Sequence, residues 1–290
     1  MWFFCLGLAF WAPPGVNFSF ARTEVVLVLS WDLKPYWEFV EGFQKTDLFQ
    51  SKVFLVSEWL GSEGSKAVVA VGHRALKKVL EKASPSLPIF GALVLHPRLL
   101  DCSRLKGGVY LLLPPEVVWP ILRERLKPYF SDTFTVGIPY STPFNKFLAK
   151  KARDTGIFWG IKVKPIPLKE GFSQLEKDLQ EVDVLYFLPD PFWESEEVIL
   201  KIIKMALLRG KIVVGYNRFF LKNGALLAFL IDYTATGAKT ARLLKDCLDK
   251  NFCRWEPAEF FVEENQKIKK FFLSEKTSVK SGLIKEKKAP

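Results

Sequence analysis

"NGALLAFLIDYTATGAKTARLL", Asn223 to Leu244, decides how the rest of the chain is read. It opens on an Asn-Gly turn and runs on as a short apolar stretch. It then breaks at Asp232-Tyr233 and becomes an amphipathic helix with Gly237 near its start. An apolar run this short, bounded by turn signals, reads as a strand covered on both faces. Strand, break and helix follow one another with almost no connection, and a chain crossing between two parts of a fold needs such a junction. Asp232 is placed to cap the helix.

Working outward, the same alternation fills the chain. Strand runs stand at 24–30 ("EVVLVLS"), 51–57, 66–72, 87–95, 106–113, 133–140, 183–190 and 211–217, rich in Val, Ile and Leu. Helical stretches such as "HRALKKVLEKA", "PFNKFLAKKARDTG" and "SEEVILKIIKMALLRG" separate them. Short buried strands alternating with helices give parallel sheets covered on both faces, an α/β doubly wound architecture. One sheet of this many strands would be large, and the pattern restarts after Gly107-Gly108. Two α/β lobes of similar size are therefore expected.

The chain has 290 residues, 49% hydrophobic and 25% charged, and a net charge of +11. The positive charge is spread along the sequence and concentrated in "KIKKFFLSEKTSVKSGLIKEKKAP", with no nucleic-acid-reading motif beside it. No nucleic-acid partner is expected. There is no GxGxxG after a strand, no GxxxxGK[ST] loop and no GxSxG elbow, and His73 and His96 stand without an evident nucleophile. The chain does not read as an enzyme, and no cofactor is implied.

"MWFFCLGLAFWAPPGVNFSFA" begins with an apolar stretch, although no basic residue precedes it. It closes on Ser19-Phe20-Ala21, with small residues three and one positions before Arg22, so residues 1–21 read as a cleaved export signal. A periplasmic or other extracytoplasmic location follows. The stretch is short for a membrane span, and Pro13-Pro14 would break one. Cys5 would leave with the signal, while Cys102, Cys247 and Cys253 remain. Cys247 and Cys253 read either as a bridge across a helix end in an oxidising compartment or as separate small apolar residues. With no CxxC pair and two histidines, no metal site is expected.

"FLKNGALLAFLIDYTATGAKTARLL" resembles the late segment of the ABC-transporter substrate-binding family that includes aromatic amino-acid binders, whose members have the type I periplasmic-binding fold. There, a similar run leads from the second lobe back to the first through a hinge, so the resemblance implies two doubly wound lobes joined by a hinge, with Asp232-Tyr233 as hinge structure. "WDLKPYWEFVEGF", "AVVAVGHRAL", "PIFGALVLHP", "GGVYLLLPPE", "VDVLYFLPD", "KIVVGYNRFFLKNGA" and "EPAEFFVEENQKIKKFF" are similar to further family segments, in order, over roughly 24–272. The resemblance implies a solute-binding protein that captures an amino acid or other small carboxylate between its lobes. Its partner would be the membrane permease of an ABC importer, and the protein a monomer. The alternative is a ligand-sensing or protein-partner module of a membrane signalling system, with a drifted cleft. The lobes would be 22–108 plus 224–250 and 109–223 plus 251–272, followed by a basic flexible tail at 273–290.

In such folds the ligand lies beyond the carboxyl ends of the strands. Donors for a carboxylate are expected at helix N-termini after strands, where free N–H groups favour an anion. This singles out Ser30 and Trp31, His73 and Arg74, and Ser141 and Thr142 before Pro143. Ser141-Thr142 reads equally as an ordinary helix cap. For a cationic group, Asp190 and Asn217 stand at strand ends, Asp190 reading also as a cap. Trp31, Tyr36, Phe192 and Trp193 are candidates to stack on a flat ligand. Where the family tends to carry Thr, Asp-Pro and an acid, this chain has His73-Arg74, His96-Pro97 and Asn217. A more basic cleft, open to a carboxylate or phosphate, is the expectation from those departures.

Overall fold

The structure is a computed structural model describing residues 24–61, 64–100, 103–130, 132–168 and 172–274. The expected signal at 1–21, Cys5, Cys102 and the tail from 275 onward lie outside the described residues. Apolar β-branched runs form the expected strands. In the first lobe, β1 (Glu24–Leu29), β2 (Gln50–Leu55), β3 (Ala67–Val71), β4 (Ile89–Val94) and β5 (Leu105–Tyr110) alternate with α1 (Lys34–Gln44) and α2 (His73–Lys82). In the second, β6 (Phe134–Tyr140), β7 (Ile161–Pro167), β8 (Val184–Tyr186), β9 (Ile212–Gly215) and β10 (Leu227–Ile231) follow one another. Their connections carry α3 (Pro115–Leu126), α4 (Pro143–Gly156), α5 (Phe172–Gln180), α6 (Glu196–Leu208) and α7 (Arg218–Lys222). The chain then returns through α8 (Tyr233–Lys250), β11 (Trp255–Pro257) and β12 (Phe260–Glu264), and ends on a helical segment at 266–274.

Two six-stranded sheets result, ordered β11-β5-β4-β3-β1-β2 and β12-β10-β9-β8-β6-β7. All recorded pairs are parallel except β10 with β12. Each sheet is covered on both faces, which is why its strands read as continuous apolar runs. The doubly wound two-lobe architecture is as the sequence implies.

The boundaries within 224–272 differ from the sequence expectation. Leu227–Ile231 is not part of the first lobe: it lies between β9 and β12, and the chain crosses only at Asp232. Residues 255–257 return to the first sheet beside β5, and only 260–264 enter the second. A three-residue strand ending in Pro257 carries no readable period. It is held by Trp255, whose ring lies where a side chain on Gly91 would stand, 2.6 Å from that Cβ position. Three crossings therefore join the lobes, and backbone bonds tie them together. Ala258 N–H donates to Tyr110 O at 2.7 Å and Asp232 N–H to Glu259 O at 2.9 Å.

Asp232 caps α8 through the Ala235 N–H at 2.8 Å, as expected. The helix then lands on α1 with backbone against backbone. A Cβ on Gly237 would sit 2.0 Å from Phe39 O, and one on Gly42 1.9 Å from Thr234 O. At the far end of α8, Cys247 is bridged to Cys253, so the disulfide reading is the one the structure takes.

Helix propensity alone would make Gly237→Ala stabilising by about 1 kcal/mol. The seam reverses that sign, and we expect a loss of about 2–3 kcal/mol from overpacking against backbone that cannot yield. Urea unfolding of the purified variant measures it, and an unchanged or raised midpoint would refute the close seam.

Candidate functional site

The second-lobe half of the expected site centres on Asp190, which sits in the loop after β8 and is largely buried. Its two oxygens accept from Ser141 N–H at 3.0 Å, Asn145 Nδ2 at 2.7 Å, Phe192 N–H at 2.9 Å and the Ser141 hydroxyl. Thr142 caps α4 through the Asn145 N–H at 3.1 Å. A carboxylate offers about four acceptor positions, so Asp190 is used up within its own lobe. It clasps the β6 and β8 loops and keeps no acceptor for a ligand ammonium, which corrects its expected role. Burial alone would raise its pKa, but the Ser141, Phe192 and Asn145 hydrogen bonds win and hold it below the usual range.

In the first lobe, Ser30 is buried and its Oγ accepts from Ala75 N–H at 2.9 Å, capping α2 from a neighbouring strand. His73 and Arg74 are exposed, and Arg74 stacks over the Trp31 ring at 4.1 Å. Arg74 lines a shallow outer depression with Lys77 and Lys78, not the space between the lobes. Trp193 and Phe192 pack into the second-lobe core, Trp193 donating to Leu188 O, so neither is presented to a ligand.

Two of the spaces between the lobes lie side by side at the hinge. A cavity of about 230 Å³ is lined by Leu95, Leu111–Leu113, Tyr186, Leu188, Pro189, Tyr216, Asn217, Phe229, Ile231 and Tyr233. An adjoining hollow of about 380 Å³ shares Tyr216, Asn217, Ile231 and Tyr233 with it and adds Glu38, Arg218 and Asp232. Of the eight expected residues, only Asn217 lines either space. Its Oδ1 caps α7 through Phe219 N–H at 3.0 Å, and its side chain is exposed. The inner cavity is walled by leucines and rings with no charged side chain among its lining residues. Burial raises the phenol pKa of Tyr186, and of Tyr216 and Tyr233 with added effects of nearby charge, so all three stay protonated. Each phenol can donate or accept. In the outer hollow Arg218 faces Glu263 at 3.6 Å and Glu38 faces Lys34 at 3.6 Å, both loose, exposed pairs.

Tyr186, Tyr216 and Leu111–Leu113 were missed as cavity lining by sequence reasoning, although "GGVYLLLPPE" resembles the family's crossing into the second lobe and Tyr233 reads as hinge structure. Tyr216 stands beside Asn217 and was within reach of the strand-end rule. Tyr186 and the leucines read as ordinary strand interior. At His96, one of the departures behind the expected more basic cleft, the side chain itself carries no charge. Burial, with Arg98 and Lys151 nearby, lowers its pKa to about 4, so it is neutral at physiological pH. It stands 5.0 Å from the Tyr110 ring in its own lobe and 5.1 Å from Phe144 across the gap, while Arg98 lies over Phe147 at 5.0 Å. His96 and Arg98 thus form an interlobe contact on α4.

No family model matches the chain, and no curated protein matches it. Solved structures do. A ligand-free, open substrate-binding protein with adhesive properties from Clostridium difficile aligns with TM-score 0.65 at 14% identity, over 87% of this chain and 95% of that one. The ABC domain in complex with L-Trp from Streptococcus pneumoniae aligns with TM-score 0.57 at 14% identity, over 87% and 94%. The XylFII–LytSN complex aligns with TM-score 0.61 at 10% identity, over 86% and 99%. The chain has the type I periplasmic-binding fold, with its cavity where the crossings meet the strand ends.

Asp190→Ala strips the acceptor from four donors at once, and we expect it to cost about 3 kcal/mol at neutral pH. A carboxyl held below its unfolded value of 3.8 contributes fully above that pH, and the contribution is lost as pH falls through the lower folded value. Chemical unfolding of wild type and variant should show their difference shrinking on acidification below pH 3.8. A difference independent of pH would contradict the clasp.

Proposed function

We propose that the protein is an extracytoplasmic solute-binding protein that encloses a small molecule between its lobes for the membrane permease of an ABC importer. The inner cavity supports this reading best. It is built by both lobes' crossing segments and by second-lobe strand ends, so a ligand there touches the elements that move when such lobes close. Its chemistry favours a ligand with one flat or bulky apolar group. Three neutral phenols and the Asn217 amide are available to orient it. A small zwitterionic or carboxylate head fits the outer hollow, near Arg218 and Glu38. An amino acid with a large apolar side chain, or a comparable small carboxylate, combines both halves. The bridged Cys247 and Cys253 agree with an oxidising compartment. The XylFII–LytSN neighbour, solved as a complex, keeps a second reading in view, a ligand-bearing module that acts on a protein partner.

Thermal shift tests the ligand class on protein unfolded and refolded to strip carried-over solute. A ligand at about a hundred times its dissociation constant stabilises the fold by about 2.7 kcal/mol, several degrees for a chain of this size. Amino acids with aromatic or large aliphatic side chains should shift the midpoint, and dicarboxylates and phosphate esters should not. Leu95→Trp, which fills the cavity, should remove the shift while the variant still unfolds cooperatively. Stabilisation by phosphate esters alone, or a shift that survives Leu95→Trp, would place the ligand elsewhere.

A further inference from the structure

We propose that His96 and Arg98 of the first lobe, seated on Phe144 and Phe147 of the second, form an acid-released latch that holds the lobes together without a ligand. His96 stands in the loop after β4, and the two phenylalanines lie in the first turns of α4. Neither segment is a crossing, so the chain does not oblige them to stay together. Two ring contacts hold them side by side. The His96 and Phe144 ring centres are 5.1 Å apart, and the Arg98 guanidinium lies 5.0 Å from the centre of the Phe147 ring. Arg98 joins no ion pair among the described residues, so its charge is free to rest on that ring. A hollow of about 100 Å³ beside the contacts is lined from both lobes, by His96, Arg98 and Tyr110 on one side and Phe147 and Lys151 on the other.

The latch fits only the neutral imidazole. His96 Nδ1 accepts the Arg98 backbone N–H at 3.1 Å, which leaves the single proton of the neutral ring on Nε2. A second proton would have to enter at Nδ1, where it meets that N–H head on. Tyr110, with its ring centre at 5.0 Å, and Phe144 flank the imidazole, so it cannot turn away while the lobes are together. The two rings would draw some positive charge, yet taking it up breaks the Nδ1 bond and sets a third cation beside two others. Those two are Arg98 from the same loop and Lys151 from α4. Glu116 of α3 is held by Lys151 at 2.7 Å, and the Tyr110 phenol of β5 is kept protonated by burial and by Glu116 and Glu256. Burial first, then Arg98 and Lys151, lower the His96 pKa from 6.5 to about 4. When the lobes part, water reaches the ring, Lys151 withdraws, and the value returns toward 6.5. The parted form therefore takes up the proton more readily. The latch is complete above about pH 6.5 and is lost as pH falls from there toward 4.

Small-angle X-ray scattering of solute-free, refolded protein at about pH 7.5 and about pH 5 reads the angle between the lobes, with circular dichroism confirming the fold at both. No ligand is present, so the outcome is separate from the choice of ligand. Wild type should be compact at the higher pH and expanded at the lower, the ratio of closed to open molecules falling by about tenfold or more. His96→Phe keeps a ring against Phe144 and has no proton to take up, so it should stay compact at both. Phe144→Ala with Phe147→Ala should be expanded at both. Phe147→Ala alone, at an exposed position, carries that arm if the pair fails to fold. A wild-type radius of gyration that does not change with pH overturns the proposal. So does a pH response that survives His96→Phe, where His73 is the remaining histidine, or a phenylalanine variant as compact as wild type at the higher pH.

Discussion

The contact between α1 and α8 sets the terms for everything else. Because Gly42 and Gly237 bring the two backbones together, α8 is fixed to the first lobe within two turns of leaving the second. The helix ends on a Cys247–Cys253 bridge that ties it to the segment entering β11. Two of the three crossings are thereby clamped at their first-lobe ends. The third is drawn in as well, since Leu111 N–H and Leu112 N–H donate to Val94 O and Leu95 O along the first sheet. The chain passes between the lobes near residues 113–114, 231–232 and 258–259, so a change in the angle between them would pivot there. Hydrogen bonds between the crossings oblige them to move together, which is the condition for one hinge instead of three independent linkers.

That constraint explains why the enclosed cavity sits where it does. Close to a hinge, two lobes remain near each other whatever the angle between them, so the crossings and neighbouring strand ends wall a space even when distal loops do not meet. The loops at 30–33 and 72–74 line neither space. The second-lobe loops are already ordered by the Asp190 clasp, so that half is organised before any ligand arrives. The His96–Phe144 and Arg98–Phe147 contacts bridge the other flank through a neutral ring and a cation over a ring. Such a contact favours closure without placing fixed opposite charges across the gap.

The fold was legible because its information is local. Leu227–Ile231 and its sister runs are uninterrupted apolar strands, and Asp232 stands at a helix start with the right spacing. The lobe assignment near the end was less so, because β11 is three residues long and its place depends on Trp255 filling the space over Gly91. The site was least legible. Ser30, Ser141, Thr142 and Asp190 have the residue types and positions of ligand contacts, and those same types cap helices and join loops. Sequence could name the group but not its partner, and here the partners are internal. Tyr186 was hidden for the opposite reason: a residue at a hinge cavity and a residue in a sheet interior look alike until the lobes are placed.

The large positive charge is where the difference between composition and position matters most. Read as a total, +11 points toward an anionic ligand or nucleic acid. Read in place, it is absent from the lining of the inner cavity. The inner cavity has no charged lining residue, His96 is neutral, and Arg74 is stacked on Trp31 at the outer rim. The cations without an ion-pair partner among the described residues are spread over both lobes, Lys66, Lys106, Lys150, Lys204 and Lys222 among them. A charge that neither lines the cavity nor pairs within the fold acts on what the protein approaches, not on what it encloses. Inside the inner cavity only shape and phenol hydrogen bonding are on offer, two properties that bulk composition does not encode.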